Sequence, residues 1–541
     1  MTIRRFRRRA LLVGALALTV GAAACSSSSG GASSATTTPA TAADATGPAD
    51  LTAKLTAIES DPRYAKSDWG YVVLDQETGE VLASQAPERM FDAGSTMKTF
   101  AISAALDAWG PDKTFTTPIY EQGTRNGSTL DGNLVLVGSG DLTLGLRAEP
   151  DGSLAYENLP ELDHSYATVG LPGAVEPKGE PLAVLDEMAA KVKAAGITQV
   201  NGDVVVDDRL FTPWKAPDGL ISPIWVNENL IDIEVTPGAA SGDATSIDWR
   251  PRTASYTVEN QTTTVASDGD TALKVEEPTP GKLVITGTVQ AGQPPTLAVK
   301  EIDDPAAFAR TALIEALQRA GVTVTASPTG ANPVGKLPAK DSYAEADKVT
   351  EHVSTDLAAY VTLIMKVSYN RGADLMACLA AVKAGSDDCE KGVAEMVDTA
   401  ATLGVSKDSI FPFDGAGSND QDRLTTMALA TAYREAVGAS YGKVLFDSLP
   451  ILGKDGTLAN VLTDSPAAGK VQMKTGNRVA GTPADQIIVL GNSLAGYIEA
   501  ASGRKLTIAV AVGNVPIPTA AAFEKVTADQ AQMVVDVQQA F

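Results

Sequence analysis

The hydrophobic pattern of this chain changes character twice, near residue 118 and again near 325. Between those points, short apolar runs are separated by Gly, Pro and Asp turns; they are Asn133-Leu134-Val135-Leu136-Val137, Gly202-Asp203-Val204-Val205-Val206, Ile231-Asp232-Ile233-Glu234-Val235 and Leu283-Val284-Ile285-Thr286. Runs of that length between turn residues are short strands, so 119–325 is expected to form one or two β-rich domains. Outside it the spacing turns helical. A short helix is expected over 51–60, a hairpin over 69–83 around Glu77-Thr78-Gly79, and a helix from about 95 to 109. Helices dominate from about 355 to 439, strands follow at 472–474, 495–499 and 505–512, and a last helix ends at Phe541. The helical run 305–320 fits either region. A chain of 541 residues exceeds one ordinary core, so each region must bury its own.

The first fifty residues are of another kind. Arg4, Arg5, Arg7, Arg8 and Arg9 precede an apolar run over 10–20, then Gly21-Ala22-Ala23-Ala24 and Cys25. The run falls short of the roughly 20 apolar residues a membrane span needs. Its basic, apolar, small order marks 1–24 as a signal peptide, and hence an exported chain. A cysteine directly after small residues resembles a lipobox, whose cysteine becomes a lipidated N-terminus, although Ala22 stands where Leu is commoner. A plain secreted protein with an incidental Cys25 is the alternative. Residues 26–48 are almost wholly Ser, Ala, Thr, Gly and Pro. They cannot bury enough apolar surface to offset their chain entropy, so 25–49 reads as a lipidated cysteine and a disordered linker. In an oxidising compartment Cys378 and Cys389 are expected to form a disulfide, with two free thiols as the other possibility.

Composition removes several classes of function. The net charge of −23 becomes about −28 once the leader arginines are gone, and so acidic a surface argues against nucleic acid. The two histidines, His164 and His352, and three cysteines are scattered, so no zinc-site spacing occurs and no metal is expected. The same scarcity weighs against a Ser-His-Asp triad, and no glycine-rich phosphate loop follows a strand. A hydrolase made from this sequence would take its base from something other than histidine.

Three short motifs occur in order: Ser95-Thr96-Met97-Lys98, Ser368-Tyr369-Asn370 and Lys474-Thr475-Gly476. Each is weak alone, and Ser440-Tyr441-Gly442-Lys443 repeats the first spacing. Residues three apart on a helix share a face, so Lys98 can reach the Ser95 hydroxyl. A desolvated lysine could act there as base, and the helix start offers N–H groups to an oxyanion. The bland reading is a capping serine and a solvated lysine. Ser368 and Asn370 sit on a turn between helical segments, where one could relay a proton and the other hold a substrate amide; both residues also favour turns for their own sake. Lys474 and Thr475, at a strand end, could bind a carboxylate, and Gly476 would let a ligand backbone come close. An ordinary strand-ending turn is the plain alternative.

Together the three motifs resemble those of the penicillin-binding proteins and serine β-lactamases. The match is nearest to the low-molecular-mass class C penicillin-binding proteins, D-Ala-D-Ala carboxypeptidases and endopeptidases with a large insertion between their first two motifs. About 270 residues separate Lys98 from Ser368 here, more than a class A β-lactamase uses. Segments such as 136–144, 202–208, 226–230, 455–458 and 465–470 also look like this family. The resemblance implies an α+β fold: a transpeptidase-like domain, an antiparallel sheet with helices on both faces, built from 50–118 and 326–541 and interrupted by the β-rich 119–325. It implies a serine D-Ala-D-Ala carboxypeptidase, or a DD-endopeptidase acting through the same groups, that trims peptidoglycan stem peptides, needs no cofactor and is acylated by β-lactam antibiotics such as penicillin. By the same resemblance Ser95 is the nucleophile, Lys98 its base, and Ser368 with Lys474 a proton shuttle. Asn370, Thr475, Gly476 and Asn477 line the substrate, the Asn477 N–H completing an oxyanion hole with that of Ser95. A weakly catalytic wall-binding lipoprotein and a β-lactamase remain the competing readings. Two positions depart from the family: Asn477 replaces the usual Thr or Ser, and Asp420 stands where an arginine often receives the free carboxylate of a diaminopimelate side chain. The expected stem peptide is therefore amidated, or otherwise lacks that charge.

Overall fold

The computed structural model describes residues 44–541 except 46, 160 and 161. The signal peptide, Cys25 and most of the linker lie outside the described residues. A five-stranded antiparallel sheet organises the ends of the chain, in the order Val81–Gln85, Asp68–Asp75, Lys505–Ile517, Ile487–Glu499, Val471–Gly481. The first two strands thus pair with the last three across more than four hundred residues of sequence. Alternation sends side chains to two faces. Val72, Leu74, Ala495, Tyr497 and Ala509 join one apolar core, while Tyr71, Val73, Leu494, Ile498, Ile508 and Val510 join another. A sheet buried on both sides needs a helix layer on each. Leu51 and Leu55 of the helix Ala49–Glu59, with Val526, Met533, Val534 and Val537 of Ala522–Ala540, cover one face. Helices Lys98–Trp109, Leu357–Val367, Asn370–Lys383 and Thr426–Ala436 fill the other.

The inserted segment has its own core and several sheets. One holds Thr114–Asn126, Thr129–Val137, Gln199–Val200, Val204–Asp207, Thr323–Val324 and Lys348–Asp356. Another holds Leu171–Pro172, Leu230–Thr236, Ser246–Arg250 and Thr296–Glu301. The helix Pro305–Arg319, capped by Asp304, packs here through Phe308, Leu313 and Leu317, which settles which region it serves. The joins fall elsewhere than the hydrophobic pattern placed them. Strand Thr114–Asn126 starts before 118, and Lys348–Asp356 pairs along it with His352 opposite Thr117 and Asp356 opposite Thr114. The inserted sheet therefore runs past 326, to Asp356. Its last strand is half-exposed and mostly polar, so it carries no apolar signal to read.

A buried ionic cluster lies where this segment meets the helical layer. Arg147 donates to Asp163 at 2.7 Å and to Glu228, and His164 bridges Asp232 at 2.8 Å and Glu228 at 3.0 Å. Burial opposes a charge on His164, but Asp232 and Glu228 outweigh it and hold its pKa up at about 9. Arg371, at the start of Asn370–Lys383, donates to the Glu228 carbonyl at 2.7 Å.

Candidate active site

Ser95 lies on the 3-10 turn Gly94–Met97, which runs directly into the helix Lys98–Trp109. Lys98 Nζ donates to Ser95 Oγ at 2.8 Å, to Asn370 Oδ1 at 2.7 Å and to the Ala416 carbonyl at 2.8 Å. The three hydrogens of an ammonium are all used. Lys98 is fully buried. Burial lowers its pKa to about 8, against the opposing pull of Asp218, Asp374, Asp414 and Asp422. With one proton lost, two N–H groups still serve Asn370 and Ala416, and a lone pair faces the Ser95 hydroxyl. The solvated-lysine reading fails at this position. It holds for the repeated spacing, where Lys443 is exposed and paired with Asp447.

Ser368 ends the helix Leu357–Val367 in a left-handed conformation, φ 59° and ψ 40°, and Asn370 opens the next helix two residues later. A non-glycine residue in that region costs of order 1 kcal/mol and must be held. The Tyr166 hydroxyl, from the inserted segment, lies 2.8 Å from both the Val367 and Ser368 carbonyls. Lys366 ties the same helix end to Asp455 at 2.8 Å and to the Leu449 carbonyl at 2.7 Å. Ser368 Oγ in turn receives a hydrogen bond of 2.9 Å from Lys474 Nζ, which also donates to the Thr475 carbonyl at 2.9 Å. Lys474 is fully buried, and burial, reinforced by the charge of Lys98, pushes its pKa well below the lysine range.

Lys474 does not end its strand. Val471–Gly481 continues five residues past Gly476, because the glycine serves a close approach and not a turn. A Cβ on Gly476 would lie 2.5 Å from Ser493 Oγ, 2.7 Å from the Ala93 carbonyl and 2.8 Å from the Thr96 nitrogen. Contact this tight brings Asn477 to the serine: a Cβ on Gly94 (φ 47°) would lie 2.7 Å from the Asn477 nitrogen. On the opposite side, Asp414 gathers the N–H groups of Ala416, Gly417 and Ser418 at 2.6–3.2 Å. That tight loop turns the Ala416 carbonyl onto Lys98. Gly417 (φ 77°) could carry no side chain, since a Cβ would meet the Gly94 carbonyl at 1.8 Å. Thr475 Oγ1 donates to Thr457 Oγ1 at 2.9 Å.

The structure thus gathers Ser95, Lys98 and Asn370 into one hydrogen-bonded group and Ser368, Lys474 and Thr475 into a second beside it, with Gly476 and Asn477 adjacent. Cys378 and Cys389 form a disulfide between two helices of the same layer. Sequence reasoning missed Asp218, Tyr166, the Ala416 carbonyl and Arg478. Arg478 was the most accessible of them, two positions past Gly476. Its guanidinium donates to the Ser418 carbonyl at 2.6 Å, pairs with Asp420, and lies 3.6 Å from Asp92. Asp218 and Tyr166 carry no local motif and reach the cleft only through the folding of the inserted segment. Among the described residues no group of His, Cys, Asp and Glu side chains could hold a metal ion.

The fold and this pair of serine–lysine contacts define a serine hydrolase of the penicillin-binding class. The overall structure resembles that of penicillin binding protein 4 from Haemophilus influenzae, with a TM-score of 0.63 and 19% identity, covering 90% of this chain and 97% of that one. The chain belongs to the D-Ala-D-Ala carboxypeptidase 3 (S13) family, whose sequence profile matches residues 51–535. It is similar to a D-alanyl-D-alanine carboxypeptidase of Actinomadura sp., 28% identical over 490 residues, which span 85% of this chain and 81% of that protein. A carboxypeptidase DacB of Mycolicibacterium smegmatis is 25% identical over 493 residues, 88% of this chain and 85% of the relative. The protein is accordingly a serine-type D-Ala-D-Ala carboxypeptidase.

Proposed function

We propose that Ser95 is the acylated nucleophile and that the two lysines divide the proton traffic. Neutral Lys98 takes the Ser95 proton as Oγ attacks the carbonyl carbon of the penultimate D-Ala. The oxyanion is received by the N–H groups of Ser95 and Asn477. As the C–N bond breaks, Ser368 gives its hydroxyl proton to the departing D-Ala nitrogen, and the proton that Lys98 took from Ser95 passes by way of Lys474 to replace it, which leaves both lysines as they began. Water then hydrolyses the ester, returning Ser95 and a stem peptide one residue shorter. Lys474 and Thr475 bind the terminal carboxylate, and Asn370 holds the peptide amide. The observation that supports this division is the presence of two serine–lysine contacts, 2.8 Å and 2.9 Å, whose lysines are both fully buried and close enough for the charge of one to act on the other. A penicillin would enter the same path and stop at the acyl-enzyme; the structure of the Haemophilus influenzae protein was also determined in complex with a β-lactam.

The side chain of the preferred stem follows from Arg478. Its guanidinium is engaged by Asp420, Asp92 and the Ser418 carbonyl, so Asp420 removes an anion-binding site rather than supplying one. D-Ala release is expected from a stem peptide ending in D-Ala-D-Ala, and faster when the diaminopimelate carboxylate is amidated. No D-Ala from either peptide would overturn the carboxypeptidase mechanism, and free acid turned over as fast as amide would overturn the side-chain preference alone.

An enzyme acting on wall peptides works outside the cytoplasm. Among the described residues no helix is long and apolar enough to cross a membrane, and we place the anchor on Cys25. Cys25→Ser is expected to move the protein from the membrane fraction to the medium. An unchanged distribution would refute lipid anchoring.

A further inference from the structure

We propose that Asp218, carried into the cleft by the inserted segment, is a positioning residue that fixes the Asn370 amide and, through it, Lys98. The inference rests on Lys98 serving Ser95 as described above. Asp218 lies at the turn of a hairpin whose strands are Trp214–Ala216 and Gly219–Ile221. One oxygen, Oδ2, accepts from Asn370 Nδ2 at 2.7 Å and also from the Ser418 hydroxyl. Asn370 places its Oδ1 on Lys98, and the loop of Ser418 places the Ala416 carbonyl there. A single carboxylate oxygen therefore joins the two groups that hold Lys98 apart from Ser95 itself.

The amide orientation is what this contact decides. An asparagine side chain has nearly the same shape after a half-turn, but a carboxylate only accepts hydrogen bonds and an ammonium only donates them. With Asp218 on one side and Lys98 on the other, NH2 must face the acid and the carbonyl must face the lysine. A flipped amide would set two donors together and two acceptors together. Nδ2 carries two hydrogens and Asp218 uses one, which leaves the second for a substrate amide.

The hairpin tip is itself pinned. Gly219 (φ 139°) passes so close to its surroundings that a Cβ would lie 2.4 Å from Glu301 Oε1 and 3.0 Å from Arg371 Cδ. The Leu220 N–H donates to Glu301. Glu301 belongs to the inserted sheet and Arg371 follows Asn370 in the helical layer, so the turn sits between the element that carries it and the residue it orients. The titratable groups around Lys98 are Asp218 from this hairpin, Asp374 from the helix Asn370–Lys383, Asp414 and Asp422 from the loop beside it, and Lys474 from the sheet. Burial, with Asp414 nearby, raises the pKa of Asp374 far above the carboxyl range and that of Asp422 to about 7.

Two variants separate orientation from charge. In Asp218→Ala the amide loses its partner, and acylation by penicillin is expected to fall about ten- to a hundredfold across the pH range. Asp218→Asn can still accept from Asn370 but carries no charge. It is expected to acylate within about fivefold of native above pH 8.5, with the acid limb of its profile moved at least about half a unit lower, because a neutral Lys98 then costs less. Thermal melts of both variants report folding, and a crystal structure of Asp218→Ala reports the amide. Native rates in Asp218→Ala at every pH would overturn the proposal. So would a lowered rate whose acid limb stays fixed in Asp218→Asn while both melts fall, which is the signature of a merely structural hairpin. If the native protein itself takes no penicillin, the Ser95 reading has failed. The crystal structure then decides this one, and Asn370 Oδ1 still seated on Lys98 would overturn it.

Discussion

Ser95→Ala is expected to abolish covalent capture of penicillin, while the native protein gains the mass of one penicilloyl group and keeps it. Removing the nucleophile of a serine hydrolase costs at least about a thousandfold, since the remaining donors bind without forming a bond. The substitution should fold normally. Ser95 is only partly buried, its Oγ accepts one hydrogen bond from Lys98, and Lys98 retains Asn370 and Ala416 without it. Intact mass followed over time distinguishes the outcomes. A persistent adduct on the native chain alone supports acylation at Ser95, and an adduct that vanishes as penicillin is consumed points to a β-lactamase. No adduct at any time would leave a wall-binding protein as the better description.

The second large effect belongs to Lys98. Its neutral form is the base, and burial sets the pKa at about 8, so acylation should rise with pH through that value and level above it. The active form is lost as pH falls, so between pH 8 and pH 6 the rate is expected to drop about fiftyfold, close to tenfold per unit at the acid end. Lys98→Met removes the base and should lower acylation by about 10²- to 10⁴-fold, with the slope gone. Rates of penicilloyl formation from pH 5.5 to 9.5 check both. A native acid limb far below 8 would mean that Lys98 is not the group whose titration limits acylation. A slope that survives in Lys98→Met would remove Lys98 as the base altogether.

Much of the site was legible because each motif is a local geometry. Ser95 and Lys98 face each other through helical spacing alone, and Ser368 and Asn370 bracket a helix junction that the turn residues already marked. The alternating apolar runs at 69–83, 495–499 and 505–512 likewise belong to a sheet, although those strands extend further than the apolar residues suggested. Gly476 was read for its missing side chain, and the space so left admits Ala93, Thr96 and Ser493 of the protein itself, which no local pattern announces. The join at 356 was hidden because a polar, half-exposed strand has no hydrophobic signature.

The sequence by itself determined the residue types of the chemistry and their local pairing, because helical spacing acts over three or four positions and needs no partner. It also determined that two regions with different periodicities must bury separate cores. Only the tertiary structure decided which distant groups tune that chemistry. Asp218 and Tyr166 reach Asn370 and Ser368 across 152 and 202 positions, and Gly417 meets Gly94 because two loops close on each other. Contacts of that kind leave no period in the chain. Those of Asp218 and Tyr166 arise when the inserted segment packs against the helical layer, and the burial of Lys98 brings its pKa down toward neutrality.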